Sequence, residues 1–204
     1  MSHAIRRQQG EELILKVAEE VFATRGFQGA TVTEIGKCAG IPKANVHYYF
    51  SSKEKLYQRV IEDVFETWLR AAEKFEDFDD PREALTSYIS AKMDLSRSRP
   101  NGSKVWANEV IHGAPVIRGY LKNRLQKWVV SRETWIQRWI DQGKMRPINP
   151  RYLMYMIWAT TQHYADFNTQ IAVLNGGKNL SEEKFEEAKK TVIDIILNGA
   201  LYDD

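Results

Sequence analysis

The sequence predicts an all-α fold of about nine helices. Apolar residues recur at helical spacing in one segment after another, and no segment shows the alternation of a half-buried strand. Helix start and stop signals divide these segments, for example a threonine cap at Thr31 and a glycine stop at Gly143. With 204 residues and no internal repeat, we expect two domains, a head of residues 1–57 and a C-terminal domain of residues 58–204.

The charge balance limits how the protein can bind a polyanion. The 29 basic and 27 acidic residues leave a formal net charge of only +2. A chain with this balance does not coat nucleic acid at random, so basic groups that bind DNA must be concentrated locally.

The sequence also predicts the compartment. A single cysteine, Cys38, excludes an internal disulfide and fits a reducing cytosol; we expect a small buried side chain there rather than a redox sensor. Residues 1–12 lack the apolar core of a signal peptide, and the most apolar later stretch, residues 152–159, is far shorter than the ~20 residues of a membrane helix. We therefore expect a cytoplasmic protein without membrane contact.

The first predicted helix spans residues 9–25. Leu13, Val17 and Phe22 fall on one side of it, and Gly26 ends it. An amphipathic helix of this kind buries its apolar side against a partner. We expect it to brace the two short helices that follow.

Residues 31–50 form two short helices joined by a tight turn. Thr31 and Glu34 are spaced as a capping box, so a helix begins there. Gly40 permits the left-handed backbone of a helix C-terminus, and Pro42 suits the first position of the next helix. Two helices with a glycine-containing turn of this length make a helix-turn-helix, whose second helix can lie in the DNA major groove.

The surface chemistry of this unit agrees with DNA binding, although an ordinary exposed helix is the plainer alternative. No acidic residue occurs from Lys37 to Lys53. Lysines are expected to bind phosphates, threonines at the start of the first short helix to add backbone contacts, and polar side chains of the second to reach base edges. The lysines are Lys43 and Lys53, and the threonines are Thr31 and Thr33. The side chains expected at base edges are Asn45, His47 and Tyr48.

A specific pattern runs through the head. It comprises Phe22, Gly26, Thr31, Ile35, Ala39, Gly40, Tyr48-Tyr49-Phe50, Lys53 and Leu56. This pattern resembles the DNA-binding domain of the TetR family of bacterial repressors. The resemblance implies DNA contacts by Lys43, Ala44, Asn45, His47, Tyr48, Tyr49 and Lys53. It also implies a homodimer in which the last two helices of each chain form a four-helix bundle.

The rest of the chain is expected to continue as helices. A long helix starts at Ser52 and runs to about residue 78, so it belongs to both domains. The helix predicted over residues 149–174 is apolar around nearly its whole circumference, so one face can meet the core and the other a second subunit. The remaining predicted helices span residues 81–99, 103–112 and 115–142, and a last helix starts at residue 181.

Aromatic residues concentrate in the C-terminal domain and suggest a pocket for a flat or apolar ligand. Trp68 and Trp158 can stack on a planar base, and Gln162 offers both a donor and an acceptor to an amide-like edge. The alternative is that both tryptophans are plain core and that Gln162 satisfies a buried neighbour. Weaker candidates for ligand contact are Glu109, Tyr155 and Asp166.

The run Trp158–Phe167 and the loops Gly113–Pro115 and Gly143–Ile148 resemble a narrower group within the TetR family, the regulators of pyrimidine utilisation. This resemblance implies that a free pyrimidine base, uracil or thymine, binds the C-terminal domain and releases the DNA. The region around Trp106 and Asn108 departs from that pattern, so a different, more apolar effector stays open.

A metal-dependent helical enzyme is the distant alternative, and a constitutive DNA-binding structural protein is another. Glu109 with His112, and His163 with Asp166, are spaced to supply two metal ligands each. No third or fourth ligand is evident, and the sequence lacks a nucleophile beside a base, a glycine-rich phosphate loop and a cysteine cluster. We therefore expect a repressor that a small molecule releases from operator DNA, with no metal and no cofactor.

Overall fold

Every regular element is a helix in residues 3–71 and 73–202, the part of the chain that the computed structural model describes. No helix in this part is both long and apolar enough to cross a membrane. A 3₁₀ turn spans Glu73–Asp77, and a π-helical turn spans Leu121–Leu125. The α-helices are α1 (His3–Gly29), α2 (Val32–Ala39), α3 (Lys43–Tyr49), α4 (Lys53–Ala71), α5 (Pro81–Ser98), α6 (Pro100–Ile111), α7 (Arg118–Tyr120), α8 (Gln126–Asp141), α9 (Pro150–Asp166), α10 (Asn168–Leu174) and α11 (Glu182–Ala200).

Two compact units divide the chain. The first unit comprises Met1–Glu66 and Asn101–Arg118, and the second comprises Thr67–Pro100 and Gly119–Asp204. Helix α4 therefore contributes residues to both units. The first unit contains the predicted helix-turn-helix, and nearly all of α6 belongs to it as well.

Backbone caps fix the ends of α2. The Thr31 hydroxyl accepts a hydrogen bond from the Glu34 backbone N–H at 3.1 Å, as the capping-box spacing predicts. The Glu34 carboxylate accepts from the Arg25 guanidinium at 3.4 Å. Gly40 adopts the left-handed conformation with φ of 66°, and its N–H donates to the Lys37 carbonyl. Helix α2 therefore begins and ends where the sequence predicts.

A close backbone approach holds the turn between α2 and α3. The Ile41 N–H donates to the Gly36 carbonyl at 2.9 Å. A Cβ on Gly36 would lie 2.7 Å from the Ile41 carbonyl oxygen, so only glycine fits there without a shift. Val46, the buried residue of α3, packs against the same glycine, 3.5 Å from that Cβ position.

Helix α1 braces this pair, as predicted. Phe22 and Ile14 are buried and α1 contacts α2, whereas Leu13, which was predicted on the buried side, is 44% exposed. Nearer its start, Gly10 lies against the Tyr49 hydroxyl of α3 and leaves no room for a Cβ. At Gly26, where the sequence predicts the end of the helix, φ of 67° and ψ of 172° interrupt the helical geometry before the last residues of α1.

Helices α4 and α6 pack together within the first unit. The rings of Phe65 and Trp106 stack with their centroids 5.3 Å apart and their planes within 5°. Tyr57 of α4 hydrogen-bonds to the Glu109 carboxylate of α6, and both side chains are buried. The first unit thus has an aromatic contact and a polar contact between the same two helices.

The core of the second unit lies among α5, α8, α9 and α11; α9 contacts each of the other three, and α5 also contacts α11. At the contact between α5 and α9, the Ser96 hydroxyl donates to the Thr161 carbonyl at 2.7 Å. The core is mainly aliphatic with aromatic edges. Its buried members include Leu85, Ile89, Met93, Ile136, Trp139, Met154, Ile157 and Ile196.

Some helix boundaries differ from the predictions, and the described residues hold more helical elements than the expected nine. Helix α4 ends at Ala71, and the 3₁₀ turn takes over the rest of the predicted stretch. The helix predicted over residues 149–174 breaks at Phe167, where φ of −112° and ψ of 25° separate α9 from α10. Short terminal turns of this kind follow from local backbone geometry, to which apolar periodicity is insensitive.

The prediction for Cys38 is wrong. Its side chain is exposed on α2. Ile35 and Gly36 form the buried side of this helix, and position 38 is rotated by about 110° from the midpoint of their two directions around the helix axis. Cys38 therefore faces solvent.

Replacing Gly36 by alanine tests the close approach between α2 and α3. The new Cβ would meet a backbone carbonyl that cannot move without shifting the turn, so we expect the free energy of unfolding to fall by about 1–3 kcal/mol. Gly29→Ala is the matched control, because its Cβ would lie 3.5 Å from the Arg25 Cβ, an ordinary contact. Urea unfolding followed by circular dichroism measures both variants. Equal stability of the two would contradict the crowding.

Candidate functional site

The predicted DNA contacts of α2 and α3 are mostly exposed, and we call this exposed set the recognition surface. Val46 is fully buried, so α3 turns its other side chains outward. Tyr48 is 66% exposed, although aromatic side chains usually bury most of their area. Hydroxyl, amide, imidazole and ammonium groups together suit phosphates and base edges. The recognition surface consists of Thr31, Thr33, Lys43, Ala44, Asn45, His47 and Tyr48.

Lys53 and Tyr49, also predicted to contact DNA, have structural partners. The Lys53 ammonium donates to the carbonyls of Phe27 and Ala30 at 2.8 and 3.1 Å and lies 4.4 Å from the Phe27 ring centroid. It therefore caps the C-terminal end of α1, where carbonyls carry a partial negative charge. Tyr49 is half-buried against Gly10. DNA contact by these two side chains stays a prediction, and replacing either would also disturb the head.

Arg7 places a further cation beside the recognition surface. Its guanidinium carbon lies 5.8 Å from the centroid of the exposed Tyr48 ring, within cation–π range. Tyr48 also packs edge-on against Tyr49, with centroids 5.4 Å apart. The only sequence signal was a basic residue near the N-terminus, which does not specify where its side chain lies.

The second unit contains an aromatic cluster, which we define as Tyr88, Trp128, Tyr155 and Trp158. The Trp158 indole N–H donates to the Tyr88 hydroxyl at 2.8 Å. The Trp158 ring centroid lies 6.3 Å from that of Trp128 and 5.8 Å from that of Tyr155. Burial raises the pKa of Tyr88, so its hydroxyl stays neutral. Two predicted ligand contacts, Tyr155 and Trp158, are thus neighbours.

A lysine lies buried beside this cluster. Lys92 follows Tyr88 by one turn of α5 and is only 3% exposed. Its ammonium nitrogen lies 4.1 Å from the centroid of the Trp68 ring. Burial lowers the pKa of Lys92 from 10.5 to about 7, and the Asp166 carboxylate acts in the opposite direction. Two further predicted ligand contacts, Trp68 and Asp166, therefore act on the same lysine.

Gln162 lies on the same side of α9 as Trp158 and Asp166. The three residues are spaced by four, which puts their side chains on one face of a helix. All three are partly buried. Met154 and Ile157, on another side of the helix, are fully buried in the core. An amide at this position can offer a donor and an acceptor next to the aromatic cluster.

Glu109, the remaining predicted ligand contact, is bound by backbone groups of its own unit. It lies in the first unit, whereas the others lie in the second. Its buried carboxylate accepts hydrogen bonds from the backbone N–H groups of Val116 and Ile117 at 2.7 and 3.3 Å. Burial, together with this carboxylate, raises the pKa of Tyr57. Glu109 therefore stabilises the turn after α6, and ligand contact by it stays a prediction.

Sequence reasoning missed Tyr88 and Lys92. Both fall on a stripe of α5 whose members are three or four residues apart and buried. A lysine on an otherwise apolar stripe was the available signal, because lysine is rarely fully buried. The stripe consists of Leu85, Tyr88, Ile89, Lys92, Met93 and Ser96.

An apolar groove of about 350 Å³ runs between α9 and α11. Met156 on one side of it is 56% exposed, and Ile195 on the other is 66% exposed. Exposed apolar side chains gathered in one strip are typical of an interaction surface. The groove is lined by Ile148, Asn149, Tyr152, Leu153, Met156, Ile195, Ile196, Gly199 and Ala200.

The two carboxylate–histidine pairs do not extend into metal centres. Across residues 3–71 and 73–202, no three His, Cys, Asp or Glu side chains gather as metal ligands would. His112 Nδ1 lies 2.7 Å from the Asn108 carbonyl oxygen. His163 stacks on Phe167 with centroids 5.0 Å apart.

Comparison with known proteins identifies both halves of the chain. Residues 14–60 match the bacterial regulatory proteins of the tetR family, and residues 61–203 match the C-terminal region of YcdC-like proteins. The HTH-type transcriptional regulator RutR of Escherichia coli strain K12 is 35% identical over 189 residues. That alignment covers 93% of this chain and 89% of RutR.

Solved structures share the fold at lower identity. The ketosteroid transcriptional regulator KstR2 of Mycobacterium tuberculosis has a TM-score of 0.77 at 20% identity, covering 97% of this chain and 96% of that one. AibR in complex with isovaleryl coenzyme A and operator DNA has a TM-score of 0.74 at 17% identity, covering 91% and 97%. At these identities the likeness establishes the fold alone.

The buried ammonium of Lys92 makes stability depend on pH. Its pKa is about 7 in the folded protein, against an ordinary 10.5, so between these values the unfolded chain binds more protons. The Lys92 contribution to the free energy of unfolding therefore rises as the pH rises from about 7 to 10.5. We expect Lys92→Met to lose this rise and to be more stable than the wild type near pH 7, because an apolar side chain replaces a buried charge.

Urea denaturation across this pH range measures the effect. Lys190→Met, the same change at an exposed lysine of α11, controls for the chemistry of the substitution. If Lys92→Met kept the pH slope of the wild type, the ammonium would not be desolvated as the structure has it.

Proposed function

The chain belongs to the TetR family of bacterial transcriptional regulators, and on that premise we propose a homodimeric repressor that a pyrimidine base, uracil or thymine, releases from operator DNA. Residues 1–57 bind the operator, and residues 58–204 bind the effector and form the dimer. The repressor acts in the cytoplasm, where its DNA lies. Family membership also makes the chain a regulator rather than an enzyme.

The recognition surface carries the DNA half of the proposal. Its polar side chains are exposed on α2 and α3 and include no acidic group. Lys43 binds a phosphate, while Asn45 and His47 reach base edges in the major groove. Tyr48, with Arg7 against its ring, extends the same surface.

One face of α9 carries the effector half of the proposal. Trp158 offers a flat ring for stacking on a planar base. One turn further on, Gln162 offers a donor and an acceptor to the alternating N–H and C=O groups of a pyrimidine dione. The resemblance of this run to regulators of pyrimidine utilisation, together with 35% identity to RutR over nearly the whole chain, supports this class of ligand.

A different and more apolar effector is the second candidate. The fold also occurs in AibR, whose complex contains isovaleryl coenzyme A. In this chain, the region that departs from the pyrimidine pattern includes Trp106, which stacks on Phe65 in the first unit. A ligand panel that contains both classes separates the two candidates.

The groove between α9 and α11 supports the homodimer. A second copy of the chain would cover the exposed Met156 and Ile195 side chains and bury them as a four-helix bundle. Such an isologous contact uses the same surface twice, so apolar side chains meet apolar side chains. The dimer then presents two recognition surfaces to successive major grooves, ~34–36 Å apart.

Release follows from unequal binding to two states of the dimer. An effector that prefers the state with an unsuitable spacing lowers operator affinity by its difference in binding free energy. Helix α4 contributes Tyr57 to the first unit and Trp68 to the second. We propose that this continuous helix transmits the effector's influence to the head.

Substitutions in α3 test the DNA assignment. Lys43→Ala removes a phosphate contact, so we expect weaker binding to every DNA sequence and a salt slope that is smaller by about one ion. Asn45→Ala removes a base contact, so we expect about 1–3 kcal/mol less discrimination at one base pair. Lys127→Ala is the control at an exposed lysine of α8. Fluorescence anisotropy over a salt series measures all three variants, and unchanged affinities for both α3 variants would refute the assignment.

Gel shifts test release by the effector. We expect DNA from upstream of the protein's own gene to bind the wild type and to be released by uracil or thymine. Gln162→Ala should weaken the response to either base, since the amide no longer reads the imide edge. Release by acyl-coenzyme A thioesters with no response to either base would favour the second candidate, and no release by any compound would contradict ligand control.

A further inference from the structure

A cavity of about 280 Å³ lies in the second unit, where residues of α5, α9, α10 and α11 meet. Tyr164 of α9 lines it, and position 164 is rotated by about 200° around the helix axis from Gln162. The cavity therefore lies on the side of α9 opposite the face that carries Trp158 and Gln162. A cavity of about 150 Å³ is enough for a benzene ring, so this one admits a planar molecule of one or two rings.

An asparagine brings an unsatisfied acceptor to the wall of this cavity. The Asn168 Oδ1 atom is buried, and no donor among the described residues reaches it. The hydroxyl of Ser96, which lines the same cavity, is engaged with the Thr161 carbonyl at 2.7 Å and the Lys92 carbonyl at 3.0 Å. A buried acceptor without a hydrogen bond is costly, and native proteins leave few of them. Because the χ2 torsion of asparagine is broad, a small rotation turns this oxygen toward a donor in the cavity.

Apolar and aromatic side chains form much of the remaining wall. Ile171 and Leu180 are partly buried there. The buried Phe185 ring meets the Tyr164 ring edge-on, with centroids 6.0 Å apart. Burial raises the pKa of Tyr164, so its hydroxyl stays neutral. Such walls suit a ligand whose body is flat and apolar.

The cations at this cavity already have carboxylate partners. The Arg97 guanidinium carbon lies 5.1 Å from the Phe185 ring centroid, and its end group pairs with the Glu182 carboxylate. The Lys189 ammonium lies 6.0 Å from the same centroid and pairs with the Asp94 carboxylate at 2.6 Å. A ligand charge would have to compete with these pairs, so the cavity favours an uncharged molecule.

We propose that this cavity is a second ligand site, which binds a small, uncharged, planar molecule whose ring or amide N–H donates to Asn168 Oδ1. The site is independent of the proposed function, because it lies on the other side of α9 from Trp158 and Gln162. The chain then binds two different small molecules at the same time.

Matched probes test the donor and the acceptor separately. Indole is an apolar bicycle with one N–H, and benzofuran is the same bicycle with an oxygen in place of the N–H. Isothermal titration of the full-length wild type should give indole an affinity about tenfold above that of benzofuran, because only indole satisfies the buried oxygen. Asn168→Leu should abolish this preference and Asn168→Asp should keep it. Gln170→Leu, the control at an exposed amide of α10, should leave it unchanged.

A titration of indole into protein saturated with uracil identifies the cavity. We expect both molecules to be bound together, since their sites lie on opposite faces of α9. Mutually exclusive binding, equal affinities of indole and benzofuran, no binding of indole, or a preference that survives in folded Asn168→Leu would each overturn the second site. If uracil neither binds nor releases DNA, the proposed function fails, and the dependence of the indole preference on Asn168 alone decides the second site.

Discussion

A helix of seven residues is too short to be stable alone, and this constraint governs the head of the protein. Isolated helices shorter than ~12–15 residues are marginal in water, yet α3 must hold its side chains in a fixed array. The fold compensates through tertiary contacts. Val46 is buried, Gly36 admits the carbonyl of Ile41, and Gly10 admits the ring of Tyr49. The outward face of α3 therefore stays exposed and can contact a binding partner.

The same constraint explains why Lys53 differs from the other predicted DNA contacts. Its ammonium ties the first residue of α4 to the C-terminal carbonyls of α1 and lies over Phe27. A side chain that holds α1 and α4 together fixes the chain that follows α3 whether or not it also touches a phosphate. Roles that a family pattern assigns to one side chain can therefore be shared between architecture and recognition.

The second unit presents the opposite situation, in which a large core contains an ionisable group. Packing among α5, α8, α9 and α11 is extensive enough to carry a desolvated ammonium at Lys92. Small cores seldom tolerate such a group. The Lys92 nitrogen lies 4.1 Å from the centroid of the Trp68 ring, and the Asp166 carboxylate of α9 acts on its pKa, so two predicted ligand contacts affect the protonation of this lysine.

Sequence reasoning succeeded where local signals suffice. The Thr31 cap and the Gly40 terminus depend on neighbours in the chain, so the helix-turn-helix and the all-α class were predictable. It failed where long-range contacts decide. The exposure of Cys38 was not predicted, and the additional hydrogen bonds of Lys53 and Glu109 to backbone groups were not visible in the sequence, because each depends on tertiary packing. Lys92 is an intermediate case. The apolar stripe of α5 can be recognised in the sequence, but a lysine on that stripe was not interpreted as a sign of function.

In the proposed mechanism, the distance between the two recognition surfaces of a homodimer changes when the effector binds. Cys38 is the only cysteine in the sequence and is exposed on α2, so a nitroxide can be attached to the wild-type head without substitution. Pulsed electron spin resonance then measures the distance between the two labels of the dimer, with and without uracil at a concentration that releases the operator. We expect a defined distance that shifts on addition of uracil. An unchanged distance distribution under releasing conditions, or no dipolar coupling between labels, would contradict control by spacing in a homodimer.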